Sequence, residues 1–268
     1  DSAYNNMGIV YGSLKKHKEA IAAYQKATVI NPKNDTVYYN MGIAYRRLKK
    51  HKEAIAAYKK AIDINPENDR AYFNMGNAYD ELKQYKEAIA AYQKATVINP
   101  KNDTAYYNMG IVYHRLKKHK EAIAAYQKAI DINPKNDAAY YSMGNAYDEL
   151  KQYKEAITAY QKAIDINPKN ETAYYSMGYA YDELKQYKEA IAAYQKAIDI
   201  YPGNDYAYNN IGYTYLKMEN FEEALDIFNQ GLKINKDNIH LHFNLLHTLI
   251  ITNEYNAGKT QLTRSLKK

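Results

Sequence analysis

The sequence predicts an all-α fold, a right-handed α-solenoid (superhelix) built from antiparallel helix pairs. The first observation is a set of prolines that stand 34 residues apart: Pro32, Pro66, Pro100, Pro134, Pro168 and Pro202. The second is that each interval holds two stretches with the apolar spacing of an amphipathic helix. A fixed period of this length is typical of stacked supersecondary units, each of which contacts only its neighbours.

The first helix of each copy is best seen in residues 103–136. Four residues recur at the i, i+3, i+4, i+7 spacing of one helix face: Tyr106, Met109, Gly110 and Tyr113. We expect this face to contact the second helix of the same copy. Ala105 and Val112 form a second edge of small side chains, which suits contact with the neighbouring copy.

The second helix follows the polar turn LKKHK. Its apolar residues have the same spacing: Ala122, Tyr126, Ala129 and Ile130. Asn133 ends this helix, because a residue that precedes proline is disfavoured in the α region. Asn136 or Asp137 can then cap the first helix of the next copy.

These copies resemble the tetratricopeptide repeat over essentially the whole chain. The residues that fill the motif are Tyr106, Met109-Gly110, Tyr113, Ala122, Tyr126, Ala129 and Pro134, and Tyr stands throughout where the family often has Trp. The resemblance implies an interaction scaffold with a protein or peptide partner. Small residues at the Gly and Ala positions let helices approach closely, which explains a glycine inside a helix despite its cost of about 1 kcal/mol.

Seven repeats are expected, at residues 1–34, 35–68, 69–102, 103–136, 137–170, 171–204 and 205–238. The seventh departs from the pattern at Gly231 and Lys236. Residues 239–268 are interpreted as a degenerate eighth repeat or a pair of capping helices. No capping sequence precedes the first repeat, so we expect Ala3 and Val10 to be uncovered or covered by another chain. The alternative function is therefore self-association through the N-terminal repeat.

The remaining arc of the first helix is expected to line the concave groove. Two of its columns predict a peptide-binding site. The amide column contains Asn6, Asn40, Asn74, Asn108 and Asn210, and the aromatic column beside it contains Tyr39, Phe73, Tyr107, Tyr141 and Tyr175. A third column adds Asn77 and Asn145. An asparagine side chain both donates and accepts, so a row of them can hold an extended peptide backbone. The alternative is that recent copying of the repeat left this uniformity without a function.

Charges at the end of the first helix differ in sign between repeats. Basic pairs stand at Arg46-Arg47 and His114-Arg115, and acidic pairs at Asp80-Glu81, Asp148-Glu149 and Asp182-Glu183. One interpretation is ion pairing between repeats, such as Arg47 with Asp80. The other is a groove whose C-terminal half is acidic and favours Lys or Arg in the partner.

Other classes of function are not indicated. The net charge of +7 is spread over the chain rather than gathered in one stripe, so we expect no nucleic-acid partner. No run of 18 apolar residues predicts a membrane span, and the first residues do not form a signal peptide, which favours the cytoplasm. Cysteine is absent and the histidines are scattered, so we expect no metal, cofactor or catalytic residue. Some tetratricopeptide proteins bind a peptide carboxylate through a clamp that needs Lys where Tyr39, Phe73 and Tyr107 stand. We therefore expect no carboxylate clamp here.

Overall fold

A computed structural model describes the backbone of residues 1–265 and the side chains of residues 1–253. Its helices are α1 Ser2–Ser13, α2 His17–Ile30, α3 Asp35–Arg47, α4 His51–Ile64, α5 Asp69–Glu81, α6 Tyr85–Ile98, α7 Asp103–Arg115, α8 His119–Ile132, α9 Asp137–Glu149, α10 Tyr153–Ile166, α11 Glu171–Glu183, α12 Tyr187–Ile200, α13 Asp205–Lys217, α14 Phe221–Ile234 and α15 Ile239–Ser265. No strand occurs in the described residues. The predicted all-α array of consecutive helix pairs is confirmed.

The chain divides into two compact units, Asp1–Ala139 and Tyr140–Lys268. In the first, α1 pairs with α2, α3 with α4, α5 with α6 and α7 with α8. In the second, α11 pairs with α12 and α13 with α14. The helix α9 begins in the first unit and continues in the second. None of the described helices meets the length and hydropathy needed to cross a membrane.

Asparagine starts most of the first helices. The side chain of Asn68 accepts a hydrogen bond from the Ala71 backbone N–H at 2.9 Å, and Asn102 does the same for Ala105. The Asn68 amide also donates to the Asp35 carboxylate at 3.2 Å. Asparagine is therefore the cap, while the aspartate at the start of a repeat ties that start to the repeat's own end.

The turn between the two helices of a repeat has a left-handed residue. It is not glycine but Lys15, Lys49, Lys83, Lys117, Lys151, Lys185 or Glu219, each with φ between 58° and 60°. In the second repeat, the Lys49 N–H donates to Arg46 O and the Lys50 N–H donates to Tyr45 O. These two bonds form a Schellman motif, which satisfies the last carbonyl groups of the helix.

The recurring glycine faces an aromatic ring of the second helix. A Cβ atom on Gly110 would lie 2.5 Å from Cε1 of Tyr126, and one on Gly42 would lie 2.4 Å from Cε1 of Tyr58. The predicted small residues are fully buried, as Ala122 and Ala129 show. The two helices thus approach closely, as the sequence predicts. The glycine has no side chain, and the tyrosine ring occupies the space that a side chain would need.

The first helices lie on the inner side of each unit. In residues 1–139, α1 contacts α3, α3 contacts α5 and α5 contacts α7, whereas no second helix contacts another second helix. In residues 140–265, α11 contacts α13 and α13 contacts α15. Each unit therefore curves with its first helices inside, where the predicted columns stand.

The C-terminal segment differs from the expected helix pair. The structure has one continuous helix, α15, over the described part of residues 239–268. Leu246 occupies the position that holds Gly212 in the preceding repeat. A Cβ on Gly212 would lie 2.3 Å from Phe228, so a leucine there would block the close return of a second helix.

Candidate functional site

The amide column links successive repeats. Its side chains donate from Nδ2 to the residue 35 positions earlier: Asn40 to Asn5 Oδ1 at 3.3 Å, Asn74 to the Tyr39 hydroxyl at 3.2 Å and Asn210 to the Tyr175 hydroxyl at 3.0 Å. These asparagines are half-buried, whereas Asn6 is exposed. The column thus has a structural role that the sequence analysis missed. Its signal was present, because the acceptors belong to the neighbouring column.

Asn108 departs from this rule because its expected acceptor, Phe73, has no hydroxyl. Its Nδ2 instead donates to Asn77 Oδ1 at 3.0 Å. The same oxygen accepts from the Tyr92 hydroxyl at 2.8 Å. The Asn145 oxygen accepts in the same way from Tyr160, also at 2.8 Å. These two third-column oxygens therefore hold buried tyrosines of the second helices in place.

The aromatic column packs against those same tyrosines. Ring centroids are separated by 6.1 Å for Tyr39–Tyr58, 6.0 Å for Phe73–Tyr92, 5.8 Å for Tyr107–Tyr126, 5.8 Å for Tyr141–Tyr160 and 5.5 Å for Tyr175–Tyr194. The second ring of each pair is buried in the core, while the first is only half-buried. Each ring of the column is thus fixed from below and still partly accessible on the inner face.

A cavity of about 310 Å³ opens on the first helices of the second unit. It is lined by the predicted residues Tyr175 and Asn210. Tyr179 and Tyr213 line it as well. They stand at the register of Asn145 in the third column and were not among the predicted site residues. Burial raises the pKa of Tyr175 although the hydrogen bond with Asn210 lowers it, so its hydroxyl stays protonated at neutral pH.

In the first unit, a cavity of about 460 Å³ lies at the C-terminal ends of the first helices. Arg46 Nη1 lies 3.4 Å from Glu81 Oε1, and His51 Nδ1 lies 2.8 Å from Glu81 Oε2. The expected pairing of Arg47 with Asp80 is wrong, because Asp80 pairs with Arg115 at 2.5 Å. Partners stand 35 residues apart, so that the end of one helix meets the position one residue later in the next repeat.

The second unit carries more negative charge at the C-terminal ends of its first helices. Asp182 is 8% exposed and pairs with Lys217, and it also accepts from the Thr214 hydroxyl at 3.2 Å. Asp148 has a buried Oδ1 without a hydrogen-bond partner. Burial, then Glu149 and Glu183, raise the pKa of Asp148 to about 6. The predicted acidic pairs of this unit are therefore not equivalent, since only one of these two aspartates is neutralised.

Family models match most of the chain. One described as "TPR repeat" matches residues 8–49, 76–117 and 144–185. Others described as "Tetratricopeptide repeat" match residues 36–68 and 104–136, 57–90 and 125–158, and 170–237. The matched segments together run without a gap from residue 8 to residue 237. The search of curated proteins found no match.

Solved structures share this fold. YrrB, a TPR protein with an unusual peptide-binding site, is 28% identical with a TM-score of 0.62, over 70% of this chain and 97% of its own. The MamA protein is 32% identical with a TM-score of 0.60, over 62% of this chain and 91% of its own. The C-terminal part of a TPR repeat-containing protein from Cytophaga hutchinsonii is 19% identical with a TM-score of 0.80, over 90% and 98%.

Proposed function

The chain belongs to the tetratricopeptide repeat family and is a protein-interaction scaffold, and we propose that it binds an extended peptide segment of a protein partner along its first helices. The observation that carries this proposal is the cavity of the second unit, where the amide and aromatic columns meet. Tyr175 and Asn210 stand there beside Tyr179 and Tyr213, of which the last two are 41% and 49% exposed. Partly exposed aromatic rings grouped in a concave site are typical of binding surfaces.

The amide column retains bonding capacity for such a ligand. An asparagine amide has two N–H donors and one acceptor oxygen. The inter-repeat bond of Asn40 or Asn210 uses Nδ2 alone, so that the Oδ1 atom remains to accept from a peptide N–H. The link to the preceding repeat also fixes the side chain before the ligand arrives. A pre-ordered amide loses less conformational entropy on binding than a free one.

The charge on the first helices of the second unit favours a ligand with basic residues. Asp148, Glu149 and Glu183 stand there, whereas Asp182 pairs with Lys217. The similarity to YrrB, which has a peptide-binding site, supports a peptide as the ligand class. The proposed partner is therefore a protein with an unstructured segment that carries Lys or Arg.

The test compares two variants that affect the same hydrogen bond. Asn74→Ala with Asn108→Ala removes the amides, and we expect peptide affinity to fall by about 1–3 kcal/mol, since one hydrogen bond is worth near 1. Tyr39→Phe keeps Asn74 and removes only its acceptor in the preceding repeat. This control should lower stability while leaving affinity within about twofold. The ligand is taken from a pull-down followed by peptide-array mapping, and affinity is measured by fluorescence anisotropy.

Two results would contradict the proposal. Unchanged affinity of the double variant would show that the amide column serves only to link repeats. An equal loss in the double variant and in Tyr39→Phe would show that the binding defect comes from weakened stacking. Circular dichroism melting of all three proteins separates the second result from simple unfolding.

A second candidate function is self-association through α1, and the exposure of its side chains favours it. Val10 is 55% exposed and Leu14 is 60% exposed, whereas Val112, at the register of Val10, is fully buried. On α15, Phe243 is 68% exposed and Leu246 is 60% exposed. We propose that α15 of one copy covers α1 of another. Such a head-to-tail contact is heterologous, so repeated copies would build a ring or an open chain.

A further inference from the structure

Charged residues at the ends of the first helices pair by a fixed rule. A residue in one repeat meets the residue 35 positions later in the next: Arg46 meets Glu81, Asp80 meets Arg115 and Asp182 meets Lys217. All three pairs join opposite charges. The rule therefore predicts which side chain should neutralise each carboxylate of this series.

Asp148 breaks the rule. The residue 35 positions later is Glu183, a second carboxylate. No Lys or Arg pairs with Asp148 in the part of the chain that the structure describes, and the buried Oδ1 atom has no hydrogen-bond partner. Glu183 therefore adds negative charge where the other pairs have a cation, and it raises the pKa of Asp148. A position that holds a cation elsewhere in the chain thus lacks one here.

The neighbouring repeat shows how a cation is held at this position. The Lys217 ammonium binds the Asp182 carboxylate and lies 4.8 Å from the centroid of the Tyr213 ring. A carboxylate on one side and an aromatic face on the other both stabilise an ammonium group. This arrangement is an internal template for the binding of a lysine side chain.

One repeat earlier, the same framework is present without the lysine. Asp148 stands at the register of Asp182, and Tyr179 stands at the register of Tyr213. Tyr179 is 41% exposed, and it lines the cavity of the second unit together with Glu183. The Tyr153 hydroxyl donates to Glu183 Oε2 at 3.2 Å and holds that carboxylate from the second helix.

We propose that Asp148, Glu183 and Tyr179 form a pocket that binds the ammonium group of a lysine in the partner peptide. The ligand lysine would take the position that Lys217 takes one repeat later, with one more carboxylate to bind it. This pocket would select a lysine in the bound peptide, and the inference therefore rests on the proposed function. Binding in the pocket requires a lysine side chain of the peptide but no particular sequence around that lysine.

The test fills the pocket with an internal cation. Glu183→Lys places a lysine where the 35-residue rule puts it, so that it should pair with Asp148 as Lys217 pairs with Asp182. The matched control is Glu189→Lys, which makes the same charge change at an exposed site on α12. The probes are Nα-acetyl-lysine methylamide, whose ε-ammonium group is free, and its norleucine analogue, which lacks the charge. Binding is followed by NMR through the side-chain carboxyl carbon of Asp148.

We expect the lysine probe to bind the wild type and Glu189→Lys, and to bind Glu183→Lys about tenfold or more weakly. The norleucine probe should leave the Asp148 signal unchanged in all three proteins. Equal binding of the two probes, absence of lysine binding to the wild type, or an equal loss in both lysine variants would overturn the pocket.

A second experiment distinguishes lysine binding in the pocket from peptide binding along the first helices. A partner peptide of about 12 residues, which extends roughly 40 Å, is compared with the same peptide carrying norleucine for its lysines. If both peptides bind alike, groove binding stands and the pocket fails. If the free lysine probe binds and neither peptide does, the pocket stands and the proposed function fails.

Discussion

At the residue scale, identical side chains at equivalent positions behave differently because their neighbours differ. Asp80, Asp148 and Asp182 share one register, yet only Asp148 faces a carboxylate instead of a cation. The folded pKa of Asp148, about 6, lies above the ordinary value of 3.8. The folded state therefore holds this proton more tightly than the unfolded state, and ionisation of Asp148 costs stability.

This cost gives a pH-dependent prediction for Asp148→Asn. The penalty is absent below pH 3.8, grows as pH rises and is complete above about pH 6. We expect the variant to be more stable than the wild type by about 1–2 kcal/mol at neutral pH, after allowance for partial exposure, and equally stable near pH 3.5. Urea denaturation at both pH values measures the difference.

The matched control is Asp80→Asn, which should act in the opposite direction. It leaves Arg115 without its partner, so we expect a loss of up to about 1 kcal/mol at neutral pH. If both variants lost stability at neutral pH, the burial and repulsion inferred for Asp148 would be wrong.

At the element scale, each helix pair is closed by a turn whose left-handed residue is not glycine. Lys83 has φ of 59°, a conformation that a residue with a Cβ adopts at a cost of roughly 1–2 kcal/mol. The Schellman hydrogen bonds of the turn, from Lys83 N–H to Asp80 O and from Gln84 N–H to Tyr79 O, offset this cost. The helix ends are thus determined by backbone bonding more than by the preference of lysine.

Replacing this residue by glycine should stabilise the protein. We expect Lys83→Gly to raise the free energy of unfolding by about 0.5–1 kcal/mol, because glycine adopts positive φ without strain but loses more entropy on folding. Lys94→Gly, at an exposed position inside α6, should instead lower it by about 1 kcal/mol. Thermal and urea unfolding of the two variants give the comparison, and destabilisation by both would contradict the argument.

At the scale of the whole molecule, each described helix contacts helices one or two places away in chain order, and the first and last helices, α1 and α15, carry exposed apolar side chains. In α1 and α15 these include Val10, Leu14, Phe243 and Leu246. The interior repeats bury the equivalent edge against the preceding second helix, as Val37 and Val112 show. Exposed apolar area of this kind favours association.

Light scattering tests the self-association candidate. We expect the average mass of the wild type to rise with protein concentration, and Val10→Lys to keep it at the monomer value, since a lysine in a buried contact leaves an unpaired charge. Val29→Lys is the control, because Val29 is 84% exposed on α2. A strictly monomeric wild type at high concentration would contradict this candidate function.

Much of the fold could be predicted because the same local sequence signals recur in successive repeats. The glycine, the small alanines and the Asn-Pro junction specify where helices begin, end and approach. The single helix α15 was missed because Leu246 acts by occupying space that a second helix would need, and a two-helix pattern in the sequence does not show that conflict. The positive φ of Lys83 was missed because lysine carries no signal for it.

For the candidate site, the sequence determined by itself which residue types recur on the inner arc of the first helix, including the amide column, the aromatic column and the charged pairs. Only the tertiary structure decided what those side chains contact. Asn74 donates to Tyr39, Asp80 pairs with Arg115 rather than Arg47, and Asp148 is left beside Glu183. The physical reason is that a 34-residue period sets the composition of each column, while the offset between stacked helices sets partners 35 residues apart. That offset arises from packing and has no signature in a single repeat.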